Sequence, residues 1–580
     1  MMMRRGMMVF GLLGAVLSAV ACSDDVGSDA QNQAQIPFAE GSAEALAILA
    51  VANDQAIDFE TYDDVVALHK RAAENLIEHR DGDPETTEDD NLFDDLGELW
   101  GVSYCKTTCF NKLLSYAKDN GYFGGSAGED HSVVFSPQSN TNATHLARVA
   151  EMVDGAEHSI DIAMYSYSHQ DPVRSALERA KARGVQIRFL ANSDLANSSS
   201  KGGKLENELG IDVRRVTKIM HHKFAIIDGP RDDQSLERAT SARIASGSAN
   251  WSGSAANRYD ENTLFLEGYA ELALRMQRDF DTLWAGSKDV VYDASLTYDE
   301  TRANITDELI AQYEDPNVHA YFTSANFSVR SNRSWSYLGT TVVTDKLVEA
   351  ILSADDTLEI ASGHYVSIPI AQAVVDAMTA KPNLQVRIVL DCQEASKGGT
   401  VGDLKDDVEA LGGDLSFKCN SYRWHYKFAE QMHHKYIIVD GDELYTGSLN
   451  FSDNSETNSF ENMLYFTGPE HAQLIASYQA NLAKIAAYGH QANALQALTE
   501  ELETADVIPL VWQPAMTITQ GEFQAIKDLI RDRCPATKSW ENTPAANTYD
   551  DLFNNNPYWF DECDTTGYAW PDVPSYLRSE

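Results

Sequence analysis

The chain reads as an α/β protein built from one unit used twice. Three observations predict this. From residue 133 onward, short β-branched stretches alternate with stretches of helical periodicity. The same order of elements recurs roughly 200 residues later, a spacing too long for a solenoid and right for two duplicated domains. Each copy closes on the same set of polar residues. Alternating strands and helices predict a mainly parallel sheet with helices on both faces, an α/β/α sandwich in each copy.

In the first copy, HSVVFSP predicts a strand, LARVAEMV a helix, SIDIAMYSYS a strand, PVRSALERAKARG a helix and VQIRFLAN a strand. Pro172 stands in that second helix's first turn and Gly184 just past its end, where each residue is favoured. MHHKFAIID then opens a strand with His221 and Lys223, which are two apart and so share a face; Asp228 lies on the opposite parity. The second copy repeats the order with HAYFTS, KLVEAILSA, DTLEIASGHYVS, PIAQAVVDAMTA (opened by Pro369), LQVRIVLDC and MHHKYIIVD. The predicted domains span 131–290 and 316–490, packed against each other as an internal pseudo-dimer in a monomeric chain. The copies differ in one place: 18 residues separate Asp228 from Gly247, and 6 separate Asp440 from Gly447. The extra stretch, PRDDQSLERATS, is polar and charged and predicts an exposed loop.

Outside the repeat, residues 41–130 predict a helical extension, with an acidic loop (DGDPETTEDDNLFDDLGE) that lacks calcium-loop spacing. Residues 491–580 form a C-terminal extension, a helical stretch followed by an aromatic, acidic tail whose Trp559, Phe560 and Trp570 are expected to pack on the domains. At the other end, Arg4 and Arg5 precede an apolar stretch, Met7 to Val20, that is short for a membrane span. Ala19-Val20-Ala21 fits a small-residue cleavage site, so residues 1–21 read as a signal peptide and 22–40 as a flexible tether. LSAVAC resembles a bacterial lipoprotein signal. That resemblance implies lipidation of Cys22, and an exported protein of the cell envelope (periplasm or outer membrane) held at a membrane surface by its N-terminal lipid. Setting Cys22 aside from the seven cysteines leaves six: Cys105, Cys109, Cys392, Cys419, Cys534 and Cys563. An even set in an exported chain predicts up to three disulfides; sequence-local pairs are expected, and fifteen connectivities stay open.

The 580 residues carry 88 Asp and Glu against 45 Lys and Arg, a net charge of −43. Such a surface repels polyanions at long range and lacks the cations on which nucleic-acid affinity rests.

The repeated polar set is the functional signal. His221, Lys223 and Asp228 are followed by Gly247, Ser248 and Asn250, then Glu261 and Asn262. His433, Lys435 and Asp440 are followed by Gly447, Ser448 and Asn450, then Glu461 and Asn462. Matched spacing of this many polar groups points to one chemistry, attack on a phosphodiester. Lys223, Lys435, Asn250 and Asn450 can hold the phosphate oxygens and stabilise charge in the transition state. One His can act as nucleophile, splitting the reaction into two steps. The other can protonate the leaving alkoxide and later deprotonate water. Glu261 and Glu461 are expected to orient the imidazoles, and Ser248 and Ser448 to hydrogen-bond near the phosphate. The lysines supply the cations, so no metal or other cofactor is called for. His222 and His434 occupy the variable position between the motif residues, face away from His221 and His433, and read as structural; His364 and His425 stay unassigned.

His-x-Lys-x4-Asp followed by Gly-Ser-x-Asn resembles the signature of the phospholipase D superfamily. Two copies in one chain resemble its pseudo-dimeric members, over roughly residues 133–490. The resemblance implies that the two motifs meet in one site, with His221 as nucleophile, His433 as acid and base, and Asp228 and Asp440 set behind the reacting groups. It implies hydrolysis of a glycerophospholipid to phosphatidic acid and a free head group, with the membrane as the place of work. MHHKFAIID with GSANWS also resembles the small endonuclease and cardiolipin-hydrolase members, so a metal-independent exported endonuclease is the alternative. A phosphatidyltransferase that uses an alcohol in place of water, and a phosphate-binding protein without turnover, are further readings. Substrate choice is expected from the parts that differ between copies: the insertion after Asp228, the loops near His364 and Trp424, and the C-terminal tail.

Overall fold

The computed structural model describes residues 36–487, apart from 39–42, 55–56, 83–90, 94, 120–129, 139, 196–199, 291–301 and 421–429, together with 516–522 and 525. The segment expected to be a signal peptide, Cys22, most of the expected tether, His425, Trp424, Cys534, Cys563, Trp559, Phe560, Trp570 and the helical stretch expected after residue 490 lie outside the described residues.

Each copy of the repeat folds into a seven-stranded frame. In the first, β1 (Asp130–Ser136), β2 (Ser159–Met164), β3 (Gln186–Ala191), β4 (Asp212–Arg215), β5 (Lys223–Ile227), β6 (Arg243–Gly247) and β7 (Tyr259–Glu267) lie in the order β1-β7-β6-β5-β2-β3-β4. In the second, β8 (Val318–Phe322), β9 (Thr357–Ser362), β10 (Gln385–Asp391), β11 (Asp414–Cys419), β12 (Lys435–Val439), β13 (Glu443–Gly447) and β14 (Asn462–Phe466) repeat that order as β8-β14-β13-β12-β9-β10-β11. Each sheet gains one edge strand beside the last of these, Lys288–Asp289 in the first and Met516–Ile518 in the second. The described part of the C-terminal extension therefore completes the second sheet.

The sheets are mixed, which corrects the expectation of a mainly parallel one. Only β2-β3-β4 and β9-β10-β11 run parallel. β5 and β12 enter antiparallel beside β2 and β9. The strands after each motif fold back antiparallel in turn. The strands of each parallel trio are joined through crossover helices, which allow parallel pairing; the short connection after β12 instead makes a hairpin. Two helix and strand pairs between the first helical crossover and the motif, Lys201–Leu209 with β4 and Thr400–Ala410 with β11, complete each frame.

Three cores hold the two sandwiches together. The outer helices cover one face of each sheet with apolar side chains such as Val149, Leu177 and Leu205 in the first and Leu347, Val374 and Leu404 in the second. The long helices Ala270–Ala285 and Ala472–Ala486 fill the inner faces, and their core is shared: Leu272, Phe280 and Trp284 join Tyr436, Leu464 and Tyr478 in one cluster. The copies also pair through backbone. Ile219–Met220 runs parallel to Ser459–Phe460, and Gln431–Met432 runs parallel to Tyr259–Asp260. The interface is chemically uneven at matched places. Asp260 forms a buried pair with Lys418 at 2.7 Å, whereas the matching Phe460 packs edge-on against Trp335, ring centroids 4.9 Å apart.

The N-terminal helices Ala43–Asn53, Lys70–Asp81, Leu96–Gly101 and Thr107–Asp119 enclose a core of their own, stapled by a Cys105–Cys109 disulfide. A second disulfide joins Cys392 to Cys419. Both are sequence-local pairs of the kind expected.

The insertion after Asp228 is not the open loop its composition predicts. Arg231 is buried, donating to Gln186 O at 2.8 Å and standing 3.3 Å from Asp161. Ala239, on a short 3-10 helix (Leu236–Ser241), enters the shared core. The polar letters of this segment conceal one buried arginine with a partner and one small apolar anchor.

Candidate active site

The two motifs meet at the seam between the sandwiches. His221 and His433 each stand immediately before a motif strand, β5 and β12, and their backbone amides are held by the opposite domain: His221 N donates to Phe460 O (3.1 Å) and His433 N to Asp260 O (2.9 Å). Their side chains are mostly buried, about 10% and 13% exposed. Each imidazole then takes its carboxylate from the opposite copy. His221 Nδ1 lies 2.8 Å from Glu461 Oε2, and His433 Nδ1 lies 2.8 Å from Glu261 Oε1. An Nδ1–H directed at a carboxylate fixes the ring and leaves Nε2 for the reaction.

The glycine of each Gly-Ser-x-Asn segment has a steric cause. A Cβ on Gly247 would lie 2.3 Å from Asn262 O, and one on Gly447 2.2 Å from Asn462 O. That close approach lets Ser248 Oγ and Ser448 Oγ accept from the Asn262 and Asn462 amides at 2.9 and 3.0 Å. Lys223 Nζ and Lys435 Nζ donate to the carbonyls of their own histidines at 2.6 and 2.5 Å, so each ammonium sits beside its imidazole. Asn250 Oδ1 accepts from Ser166 N at 3.2 Å, which turns its NH2 away from that wall; Asn450 Oδ1 has no hydrogen-bond partner among the described residues.

Asp228 and Asp440 sit at the far ends of β5 and β12, about 16 Å along the strand from the site ends. Both adopt left-handed backbone, φ 53° and 50°, which Asp tolerates. Asp228 accepts from the amides of Glu157, His158 and Ser159 and pairs with Arg243; Asp440 accepts from those of Asp355, Asp356 and Thr357. They tie down the start of β2 and β9 and do not reach the histidines. The insertion after Asp228 begins at this remote end, so it cannot supply the substrate contacts expected of it.

His222 and His434 are buried in the seam, as structural residues should be. Their Nδ1 atoms meet the amides of Asn462 and Asn262 of the opposite copy, each at 3.2 Å. Asn262 also accepts from Thr446 and Tyr478, and Asn462 donates to Ser246 at 2.9 Å. These two asparagines, visible in the repeat but given no role from sequence, lock the copies in register. Sequence reasoning also missed Tyr165, whose ring stands edge-on to His221 with centroids 4.6 Å apart and lies under Lys223 Nζ at 5.1 Å. The signal was its place one residue past a strand that pairs with the motif strand.

Electrostatically the site gathers two lysines and two histidines that are almost entirely buried. Burial pushes Lys223 down to about 7 and Lys435 to about 8. It also pushes His221 down to about 4 and His433 well below its ordinary value. Negative charge brought into the site would act against each of these shifts. The two carboxyls behave differently. Burial alone would raise Glu461, but His221 and Lys223 outweigh it and hold the group below its ordinary range. Its oxygens also receive Ser448 Oγ at 2.7 Å and Ser459 Oγ at 3.1 Å. Glu261 receives His433 on Oε1, while Oε2 lies near Ser248 without a hydrogen bond of good geometry. Burial pushes Glu261 up to about 8, against the pull of Lys435 and Ser248.

Two His–Lys pairs, two Ser–Asn segments and two crossed carboxylates thus stand together on a twice-used frame. Both copies are similar in fold to phospholipase D-like domains. A family model described as "Cardiolipin synthase, PLD-like domain" matches residues 149–284 and 347–483, one match per domain. The chain is similar to the mitochondrial cardiolipin hydrolase of Drosophila melanogaster, 29% identical over 161 residues, covering 26% of this chain and 63% of that protein. It is 31% identical over 121 residues to a phospholipase D of Rickettsia conorii, covering 20% of this chain and 54% of the relative. Among solved structures, the phosphatidylserine synthase of Haemophilus influenzae aligns over 61% of this chain and 86% of its own, at 11% identity and TM-score 0.41. The matched part thus spans about three fifths or less of those two relatives.

Proposed function

We propose that this protein hydrolyses the head-group phosphodiester of glycerophospholipids, releasing phosphatidic acid and a free alcohol through a phosphohistidine on His221. The observation that carries the reading is the crossed pairing of each histidine with the other copy's glutamate, because it builds one site with two different protonation states. With Glu461 ionised and accepting His221 Nδ1–H, His221 Nε2 presents a lone pair to phosphorus. The His433–Glu261 pair holds one more proton below pH 8 and can give it to the leaving oxygen, the two groups titrating as a unit. Lys223, Lys435 and the two asparagine amides surround the phosphate oxygens where charge gathers. Water then takes the leaving group's place, His433 removes its proton, and attack on the phosphohistidine frees His221. The net charge of −43 favours a lipid over a nucleic acid as substrate. Drawing its lipid from a membrane fits export and tethering by a lipid on Cys22, which Cys22→Ser should abolish, moving the protein from the membrane to the soluble fraction.

Purified protein should release head group from phosphatidylglycerol, phosphatidylethanolamine or phosphatidylcholine vesicles, and His221→Ala or His433→Ala should stop it. Cleavage of single-stranded DNA without added metal, with every lipid left intact, would establish the endonuclease instead. Product with an alcohol acceptor but none with water would establish the transferase.

A further inference from the structure

The walls above the two catalytic histidines do not match. β2 and β9 both end beside the motif strands, Met164 opposite Lys223 and Ser362 opposite Lys435. The next amide is held alike in both copies, Tyr165 N on His222 O and Gly363 N on His434 O, each at 2.9 Å. Tyr165 covers His221, whereas a Cβ on Gly363 would lie 2.8 Å from Met432 O and 3.0 Å from His433 Cα. No side chain fits there, so Tyr165 has no counterpart beside His433, whose aromatic neighbour is instead Tyr259, ring centroids 6.2 Å apart, and the chain's next side chain belongs to the residue that follows. That residue is Ser166 in the first copy and His364 in the second.

A second position has changed with it. In the loop after β3, Leu195 is apolar and buried; the matching place after β10 is Glu394, fully buried. Glu394 Oε1 lies 3.3 Å from His364 Nδ1, and Oε2 accepts from Tyr365 N at 3.1 Å. The His364 side chain is 37% exposed over a carboxylate that is not exposed at all. Burial acts to raise Glu394, but His364 outweighs it and holds the group below its ordinary value. The loop itself is fixed by the Cys392–Cys419 disulfide and by Lys405 Nζ donating to Glu394 O. The charge of His364 also bears on His433. A rigid loop thus presents one imidazole, anchored through Nδ1, on the acid side of the site only.

We propose that His364, held by Glu394, is a specificity-determining residue for the leaving alcohol: its Nε2 hydrogen-bonds a hydroxyl or phosphate oxygen of the head group and selects an oxygen-rich, glycerol-type alcohol over a quaternary ammonium. This rests on the reading that His433 protonates the leaving group, which places the head group beside His364. The test uses soluble diesters that carry the same head groups without acyl chains. The full chain should cleave glycerophosphoglycerol with a kcat/KM roughly 10-fold above glycerophosphocholine, the worth of one hydrogen bond in a site of this kind. His364→Ala should bring that ratio close to one, Glu394→Gln should lower it part of the way, and His364→Gln, which keeps a hydrogen-bonding group, should restore some of it. A ratio unchanged in His364→Ala, or a wild-type preference for the choline diester, overturns the proposal; a merely structural histidine would lower both rates together and leave the ratio alone. Intact phospholipid vesicles alongside cleaved soluble diesters would overturn the lipid reading while the ratio still decides on His364. No turnover of any diester would overturn both.

Discussion

The two halves of this molecule have nearly the same backbone and different chemistry. Strand order, motif strand, close-approach glycine and crossed carboxylate coincide in both. Yet Glu461 receives His221, Ser448 and Ser459 and stays ionised, while Glu261 receives His433 and is pushed up to about 8. Tyr165 stands edge-on to one histidine, while Gly363 occupies the matching place beside the other. The frame is what duplication copies. The proposed division of labour rests on a few side chains that differ around it, acting through burial and hydrogen-bond count.

The strongest test of that division is to remove the histidines one at a time. His221→Ala and His433→Ala should each lower kcat by roughly 10,000-fold. Only His433→Ala should accumulate a phosphorylated peptide containing His221, seen by intact mass spectrometry at alkaline pH. Label on His433 in the His221→Ala protein would reverse the assignment. The glutamates come next. Glu461→Gln should lower kcat by roughly 100-fold or more by loosening the nucleophile's orientation and tautomer. Glu261→Gln should instead make the alkaline limb of the pH profile less steep, because the amide cannot store the proton while the two lysines still titrate.

That limb is itself a prediction with a definite sign. The acid pair carries its proton below about pH 8, and Lys223 and Lys435 lose theirs near 7 and 8. The kcat/KM for any diester should therefore begin to fall as pH rises past about 7 and steepen past 8, by up to tenfold per unit for each group that must stay protonated. A flat profile to pH 10 would mean that no proton on the His433 side is needed. Outside the chemistry, the uneven seam predicts an uneven cost. Lys418→Met should destabilise by about 3–5 kcal/mol, because Asp260 is left buried without a partner, and Asp260→Leu added to it should recover much of the loss. Urea unfolding of the single and double variants measures this.

Much of this was legible in the sequence, for a local reason. Alternation and helical spacing act over a few residues, so the strands from HSVVFSP to MHHKYIIVD fell where expected, and the spacing of each motif marked His221, Lys223, Asn250 and their counterparts. Strand direction is not a local property, and the antiparallel entry of β5 and β12 followed from connection length rather than from any residue pattern. The pairing of His221 with Glu461, 240 residues away, was equally hidden, because a repeat shows which groups match and not which groups meet. Arg231 and Ala239 look like surface letters until a partner carboxylate and a core position are supplied by the fold. His364 carried no motif, and its meaning appears only when the two copies are superposed residue by residue.

The exchange of glutamates across the seam has a consequence for inheritance. Neither half owns a working histidine, since each ring is aimed by a residue encoded in the other. Under the proposed mechanism a lesion in either copy would silence both, so the two could not drift into separate proteins with separate trades. Cut apart, they would have to find each other again before any reaction could begin. The fused gene has in effect made a permanent marriage out of what a symmetric dimer renegotiates at every encounter.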